Sequence, residues 1–198
     1  MAIEITTEQI KALRDQTGIS VMQCKKALED AGGDVEKAVV LLRKKGAEIA
    51  AKKGDRTLAA GCIAAYIHSN GAIGAMVELV SETDFVSNNA DFKALAYDIA
   101  MHVSASNPEF LRKEDINDAD KVKATEVFKA EVEGKPENLK EQILQGKLDA
   151  YFKDRVLLEQ SFIKNPDLTI GQLVENAIQK FGEKIEVSRY VRLSVLDK

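Results

Sequence analysis

The alternation of apolar and polar side chains constrains the fold of this chain most strongly. It occurs in residues 62–67, 73–79 and 185–195, and such period-two alternation predicts half-buried β-strands. Asn70-Gly71 joins the first two segments and favours a type I′ hairpin turn, in which both central residues have φ > 0. Two early strands and one late strand, separated by helical patterns, predict an antiparallel three-stranded sheet with helices on one face. This is an α+β arrangement.

Three short amphipathic helices are predicted in the first fifty residues. A residue able to cap a helix N-terminus precedes each helix, and glycine follows the first two: the caps are Thr6 or Thr7, Ser20 and Asp34, and the stops are Gly18 and Gly32-Gly33. Gln23 completes a capping-box pattern with Ser20. Because only two or three residues join the helices, their apolar stripes can pack only against one another. Residues 1–46 are therefore predicted to form a three-helix bundle.

A basic linker, residues 47–57, and a core domain, residues 58–198, are predicted to follow the bundle. Lysine and arginine are most concentrated in and just before this linker, in a chain whose net charge is −4. A solvated connector fits this composition. A surface that faces an acidic partner and speeds association fits it equally.

The core domain contains four further helical patterns, which begin at Asn89 or Asp91, cover residues 118–132, cover residues 137–162, and begin after a Thr169 cap. Asn107-Pro108 is expected to end the first pattern, and Asn165-Pro166 the third. Gly146 lies inside the third pattern and weakens it, which predicts a bend or two abutting helices.

Catalytic and cofactor motifs are missing from the sequence. It has no Gly-x-x-x-x-Gly-Lys-Ser/Thr loop, no Gly-x-Ser-x-Gly elbow and no Gly-x-Gly-x-x-Gly after a strand. Cys24 and Cys62 are predicted to be buried free thiols, and His102 to be a half-buried structural histidine. Nothing in the sequence separates the pKa values of Glu82 and Asp84, so a cap and an exposed charge are expected there. We expect no catalytic residue, metal site, cofactor or enzyme activity.

Neither a membrane nor a nucleic acid is indicated as a direct partner. The sequence has no run of eighteen apolar residues, and residues 1–8 lack the basic and apolar regions of a secretory signal. A net charge of −4 is also unlike the broad basic excess of a nucleic-acid-binding surface. The protein is therefore predicted to be cytoplasmic.

Residues 81–89, Ser-Glu-Thr-Asp-Phe-Val-Ser-Asn-Asn, place an aromatic side chain among polar neighbours where a strand gives way to a helix. Thr83 or Asp84 is positioned to cap that helix. Phe85 then either projects from the end of the element as a wedge for a partner protein or folds back onto its own core. These residues by themselves leave both possibilities open.

Motifs spread along almost the whole chain carry a family resemblance. They are Leu13–Gly18, Met22–Leu28, Gly61–His68 followed by Glu82–Val86, Met101-His102-Val103, Leu157–Phe162 and Gly171-Gln172-Leu173. These segments resemble the N-terminal, second and later signatures of the elongation factor Ts family, in its short bacterial form.

This resemblance implies a guanine-nucleotide exchange factor that binds the translational GTPase EF-Tu in its GDP form. The bundle is then ubiquitin-associated-like and packs on the GTPase domain of EF-Tu. The residues implied are Arg14, Val21, Met22 and Lys53 for contact with that domain, His102 for contact with another EF-Tu domain, and Thr83, Asp84, Phe85 and Val86 for dislocation of Mg²⁺ from EF-Tu. Release of GDP follows from that dislocation.

Three positions depart from the family pattern. Val21 stands where the family usually has Met, Gln23 where it has Asp, and Ser161 where it has the Pro of a Gln-Pro-Phe block. Val21 offers a smaller apolar contact, and Ser161 is expected to affect only the local turn. The chain also has a single set of sheet-forming strands, like the short members that pair two cores, so a homodimer is expected.

Two other classes of function are considered beside this one. The bundle is a candidate ubiquitin-associated-like adaptor that binds a partner without exchange activity, with the second domain as a scaffold. An enzyme would have to use Cys24 or the pair of Glu82 and Asp84, and the sequence offers no base partner for the thiol.

Overall fold

The computed structural model of the chain describes residues 5–52, 54–133 and 136–197. Its helices are α1 (Thr7–Thr17), α2 (Val21–Asp30), α3 (Val35–Lys52), α4 (Asp84–Ser87), α5 (Ala90–Ser106), α6 (Asp118–Val132), α7 (Glu137–Lys153) and α8 (Ile170–Phe181). Its strands are β1 (Ala60–Ile67), β2 (Ile73–Ser81), β3 (Ser161–Phe162), β4 (Asn165–Thr169) and β5 (Ile185–Ser194). Within the described residues, every helix is too short or too polar to cross a bilayer.

The chain divides into two compact units. The first unit consists of residues 1–64, 77–98 and 172–188, and the second of residues 65–76, 99–171 and 189–198. A three-stranded antiparallel sheet has the order β1-β2-β5, and β3 pairs with β4 in a separate two-stranded sheet. The predicted α+β class, with an N-terminal three-helix bundle, is confirmed.

The N-terminal bundle is built by the predicted caps. Thr6 accepts a hydrogen bond from the Gln9 N–H and Gln9 bonds back to the Thr6 N–H, a complete capping box, and Gly18 ends α1 with φ 70°. Asp34 accepts from the Lys37 N–H at 3.0 Å and so caps α3. The core of the bundle consists of Leu13, Ile19, Cys24, Ala27, Leu28, Ala38 and Leu42, all of them buried.

Helix α3 continues to Lys52, so residues 47–52, which the sequence analysis placed in the linker, are helical. Gly46 lies where α3 approaches α8 in the first unit. A Cβ atom at Gly46 would stand 3.2 Å from the backbone oxygen of Glu175. The missing side chain permits this close approach, and the helix passes through the glycine instead of fraying there. The domain boundaries given by the sequence stay a prediction.

The β1–β2 hairpin has a different turn from the predicted type I′. Gly71 has φ 67°, whereas Asn70 does not have a positive φ. The Gly71 N–H donates to the His68 oxygen at 2.8 Å, and the Asn70 Oδ1 accepts from the Ala72 N–H at 3.0 Å. The side chain of Asn70 therefore stabilises a longer loop by bonding the backbone two residues on, which removes the need for a second left-handed residue.

The helical segment predicted for residues 137–162, with a bend or two abutting helices at Gly146, is wrong in its second half. Helix α7 continues through Gly146 and ends at Lys153, and Phe162 lies in β3, which pairs with β4. Arg155 ends the helical path: its guanidinium lies 3.5 Å from the ring centre of Tyr151 and donates to the Tyr151 oxygen. Fully buried Val156 and Leu157 follow, and the Leu157 N–H bonds the Phe110 oxygen.

Pro166 consequently lies in β4 rather than at a helix end. Its ring cannot donate to a sheet, and a strand of a two-stranded sheet has an unpaired side that tolerates this. A core cluster in the second unit contains Ile116, Ala124, Phe152 and Val156. These four residues anchor α6, α7 and the segment that follows.

Candidate partner-binding site

A short projecting segment follows β2 in the first unit. We call residues Thr83–Val86 the hook. Helix α4 begins at Asp84, and Val86 is only 2 % exposed whereas Phe85 is 84 % exposed. Val86 thus anchors the hook in the core, and the side chain before it, Phe85, projects into solvent. Of the two possibilities for Phe85, the structure has the projecting one.

The backbone of the hook is held by hydrogen bonds on both sides. The Ser81 hydroxyl donates to the Thr83 oxygen at 3.0 Å, and the Asn88 N–H donates to the Asp84 oxygen at 2.9 Å. Ser81 and Ser87 are buried. The projection of Phe85 is therefore a defined local structure, not a loose loop, because its neighbours satisfy the backbone groups around it.

Thr83 stands at the N-cap position of α4, but its side chain makes no cap hydrogen bond. Its hydroxyl donates instead to Glu183 Oε1 at 2.6 Å, and its N–H donates to Glu183 Oε2 at 3.0 Å. The predicted capping role of Thr83 is thus wrong. Glu183 was missed by the sequence analysis, because a contact across 100 residues leaves no periodic signal.

The second set of predicted contact residues lies on the bundle. Arg14 is exposed in the last turn of α1, and Val21 and Met22 are 50 % and 83 % exposed in the first turn of α2. Residues 18–20 join these two turns. Lys53, predicted to belong with them, lies outside the described residues.

Beside Val21 and Met22, Ser20 accepts from the Gln23 N–H at 3.4 Å. The Oε1 of Gln23 is buried without a hydrogen-bond partner, so only one half of the capping-box pattern forms. Cys24 is fully buried, and burial raises the pKa of its thiol. A nucleophilic role for this cysteine is therefore excluded by its surroundings.

His102 lies inside the second unit and is fully buried rather than half-buried. Its Nε2 is 3.0 Å from Gln160 Oε1, while the Gln160 Nε2 donates to the Asp154 oxygen at 2.7 Å. The amide oxygen of Gln160 thus faces the ring, which assigns the proton to His102 Nε2. Burial lowers the pKa of His102, so the ring is neutral. The ring packs 6.2 Å from that of Phe162.

The second unit also presents an apolar surface, which we call the sheet patch. It borders a cavity of about 390 Å³, and its exposed members are Ile67, Met76, Val191, Leu193 and Val195. Contiguous exposed apolar side chains on a soluble domain mark an interaction surface. The sequence analysis predicted the strands but did not predict which of their faces stays uncovered.

A metal site requires a group of side chains able to hold an ion. The described part of the chain contains no group of three or more His, Cys, Asp or Glu residues placed to hold an ion. Both cysteines are free thiols; Cys62 is half-buried, and its burial raises its pKa. The surfaces present an exposed ring, exposed apolar side chains and charges.

Comparisons with known proteins identify the family of this chain. A family model described as "Elongation factor TS" matches residues 3–195. Elongation factor Ts of Desulforamulus reducens is 47 % identical over 192 residues, covering 96 % of this chain and 88 % of the relative. That of Thermotoga petrophila is 46 % identical over 193 residues, covering 98 % and 97 %. The chain belongs to the elongation factor Ts family.

Proposed function

We propose that this protein is a guanine-nucleotide exchange factor for EF-Tu. It binds EF-Tu·GDP, favours dislocation of Mg²⁺ and releases GDP, and it makes or breaks no covalent bond itself. The exposure of Phe85 on a buried root is the observation that carries this proposal, because a rigid aromatic side chain is suited to enter a partner. We propose that it acts in the cytoplasm, without a cofactor and without contacting nucleic acid or membrane.

Two surfaces of the first unit have separate roles in nucleotide exchange. The bundle, residues 1–46, binds the GTPase domain through Arg14, Val21 and Met22, with Lys53 as a further contact. The hook places Asp84 and Phe85 beside the nucleotide-binding elements and favours a conformation of EF-Tu that holds Mg²⁺ and phosphate poorly. Thermodynamic linkage then requires that GDP and this protein weaken each other's binding to EF-Tu by the same ratio.

The energies show that the hook does not act alone. A thousandfold acceleration of GDP release requires about 4 kcal/mol, at roughly 1.36 kcal/mol for each factor of ten. Burying one Phe side chain contributes about 1.5–3 kcal/mol. The remainder has to come from the bundle and from the core domain, residues 58–198. The proposed contact of His102 with EF-Tu is indirect in this conformation, because the ring is buried.

We further infer that two copies of the chain associate through the sheet patch. Its exposed members alternate along the strands, so the same face on a second copy presents the same apolar row. Two sheets packed face to face lie about 10 Å apart and interdigitate such side chains. In a two-fold symmetric dimer, the patch of each copy covers the same patch of the other copy.

The test of the exchange function is release of a fluorescent GDP analogue from EF-Tu. Acceleration by substoichiometric amounts of this protein is the expected result, since each molecule acts on many copies of EF-Tu. Stoichiometric binding without acceleration would contradict the exchange function, and the adaptor function would then be the remaining alternative. Absence of both would contradict the choice of partner. Unchanged acceleration after Phe85→Ala would remove the wedge from the mechanism.

A further inference from the structure

The turn after α8 is hydrogen-bonded to the start of the hook. Helix α8 ends at Phe181, and Gly182 follows with φ 70° and an N–H that donates to the Ile178 oxygen at 2.8 Å. Ile185 begins β5 and is fully buried. Glu183 and Lys184 therefore lie between a capped helix end and a buried strand start, which fixes their backbone.

The two segments are joined by a reciprocal set of hydrogen bonds, which we call the clamp. Both oxygens of Glu183 accept from Thr83, one from its N–H and one from its hydroxyl, at 3.0 and 2.6 Å. In return, Glu82 Oε1 accepts from the Lys184 N–H at 2.6 Å. Adjacent residues on each side thus exchange a carboxylate for a backbone N–H, and carboxylate acceptors make the stronger kind of hydrogen bond.

The clamp also reaches the segment that leads from the bundle. The Lys184 Nζ donates to the Gly54 oxygen at 2.6 Å, and the Arg56 guanidinium lies 3.8 Å from Glu82 Oε2. Lys184 is itself paired with Glu186 at 3.1 Å. One turn therefore contacts both the root of the hook and the chain that follows α3.

We propose that Glu183 is a positioning residue for nucleotide exchange. Its carboxylate accepts from both the N–H and the hydroxyl of Thr83, the N-cap residue of α4, and so fixes the direction in which Phe85 leaves the core. Buried Val86 anchors the backbone directly after Phe85. This inference rests on the proposed exchange function, but the order that Glu183 imposes on the hook is a property of the chain alone.

Exchange kinetics provide the first test. Glu183→Ala and Thr83→Val each remove the hydroxyl bond, and we expect about a tenfold lower maximal exchange rate for each, because the hook loses a charge-assisted restraint. The factor concentration that gives half the maximal rate stays nearly unchanged, because the bundle contacts are intact. The double variant is no slower than either single variant. Thr83→Ser retains both donors and restores most of the rate. Glu183→Gln keeps one acceptor, for the Thr83 N–H, and its amide NH2 can donate to the Thr83 hydroxyl, so it restores part of the rate.

A second readout needs no EF-Tu. The chain contains no tryptophan, so Phe85→Trp introduces a single reporter on the hook. Time-resolved fluorescence anisotropy of this variant is compared with that of Phe85→Trp combined with Glu183→Ala. We expect a new fast depolarisation in the combined variant. Asp91→Ala is the matched control, since it also removes a carboxylate bonded to α8, at Lys180, and it leaves the anisotropy unchanged.

The outcomes separate the two proposals. An unchanged anisotropy decay after Glu183→Ala overturns the positioning role, whether or not the protein accelerates GDP release. A new fast decay in a protein that does not accelerate release supports the clamp and removes the exchange function. If Glu183→Ala does not fold, Thr83→Val in the reporter background gives the same measurement. A rate loss shared equally by Asp91→Ala also overturns the role.

Discussion

Phe85 of the hook and His102 both lie in motifs of the elongation factor Ts family. The two side chains differ completely in their exposure to solvent. Phe85 is 84 % exposed on a buried root, whereas His102 is fully buried and bonded to Gln160. Each was predicted to contact a partner. The difference teaches that a motif identifies a residue as characteristic of the family without saying whether it acts by contact or by holding the structure.

The sharpest test of this difference is Phe85→Ala. The ring is exposed, so its loss leaves the free energy of unfolding within about 0.5 kcal/mol of the original value. Exchange is expected to slow by about ten- to 150-fold, the equivalent of about 1.5–3 kcal/mol of lost contact. Val122→Ala, an exposed apolar position on α6, is the control and retains full activity. Equal losses for both variants break the comparison.

His102→Ala tests whether the buried residue of the comparison acts by stabilising the fold. Removal of the buried ring leaves a cavity and an unpaired Gln160 amide, and we expect a loss of about 2–4 kcal/mol in the free energy of unfolding. Urea denaturation measures this loss. His68→Ala, at an exposed position, is the control and changes stability little. A stable His102→Ala protein that binds EF-Tu poorly would show that this histidine contacts the partner directly.

The sheet patch widens the comparison, because it is exposed like Phe85 but, apart from Ile67, lies outside the motifs. Leu193→Glu places a charge on the proposed dimer interface, where its desolvation opposes association. Sedimentation equilibrium is expected to give twice 21.7 kDa for the original chain and 21.7 kDa for the variant. Val122→Glu adds the same charge at an exposed apolar position on α6, outside the patch, and serves as the control. A monomer before any substitution contradicts the proposed dimer.

The smallest expected effect is the pH dependence from His102. Its folded-state pKa lies below its ordinary value of 6.5, so below pH 6.5 the unfolded chain binds a proton that the folded chain does not. Stability from this group is present above pH 6.5 and is lost as the pH falls towards the folded-state pKa. Urea denaturation between pH 7.5 and 5.5 measures the slope, and His102→Gln is expected to reduce it. An unchanged slope contradicts a neutral, buried ring.

The sequence predicted those parts of the fold that depend on local signals. Helix α6 begins and ends at the predicted residues, and the caps at Thr6 and Asp34 form as predicted. The alternation of three segments predicted the strands of the larger sheet. These features are local because caps, glycine stops and periodicity all act within a few residues.

The missed features depend on contacts between distant residues. The β3–β4 pair replaces the end of a predicted helix because Arg155 folds back on Tyr151 and the next two residues are buried, which apolar periodicity does not distinguish from a helix. The bond from Thr83 to Glu183 spans 100 residues. The exposure of Phe85 was left open for the same reason, because burial depends on what the rest of the chain provides.

One measurement tests the account most directly: the maximal rate of GDP release from EF-Tu with Phe85→Ala and with His102→Gln, at a temperature where both variants are folded. The account predicts that the original protein accelerates release, that Phe85→Ala loses most of this acceleration, and that His102→Gln retains it. Loss of acceleration in the folded His102→Gln protein, with Phe85→Ala unaffected, would contradict the assignment of contact to the hook.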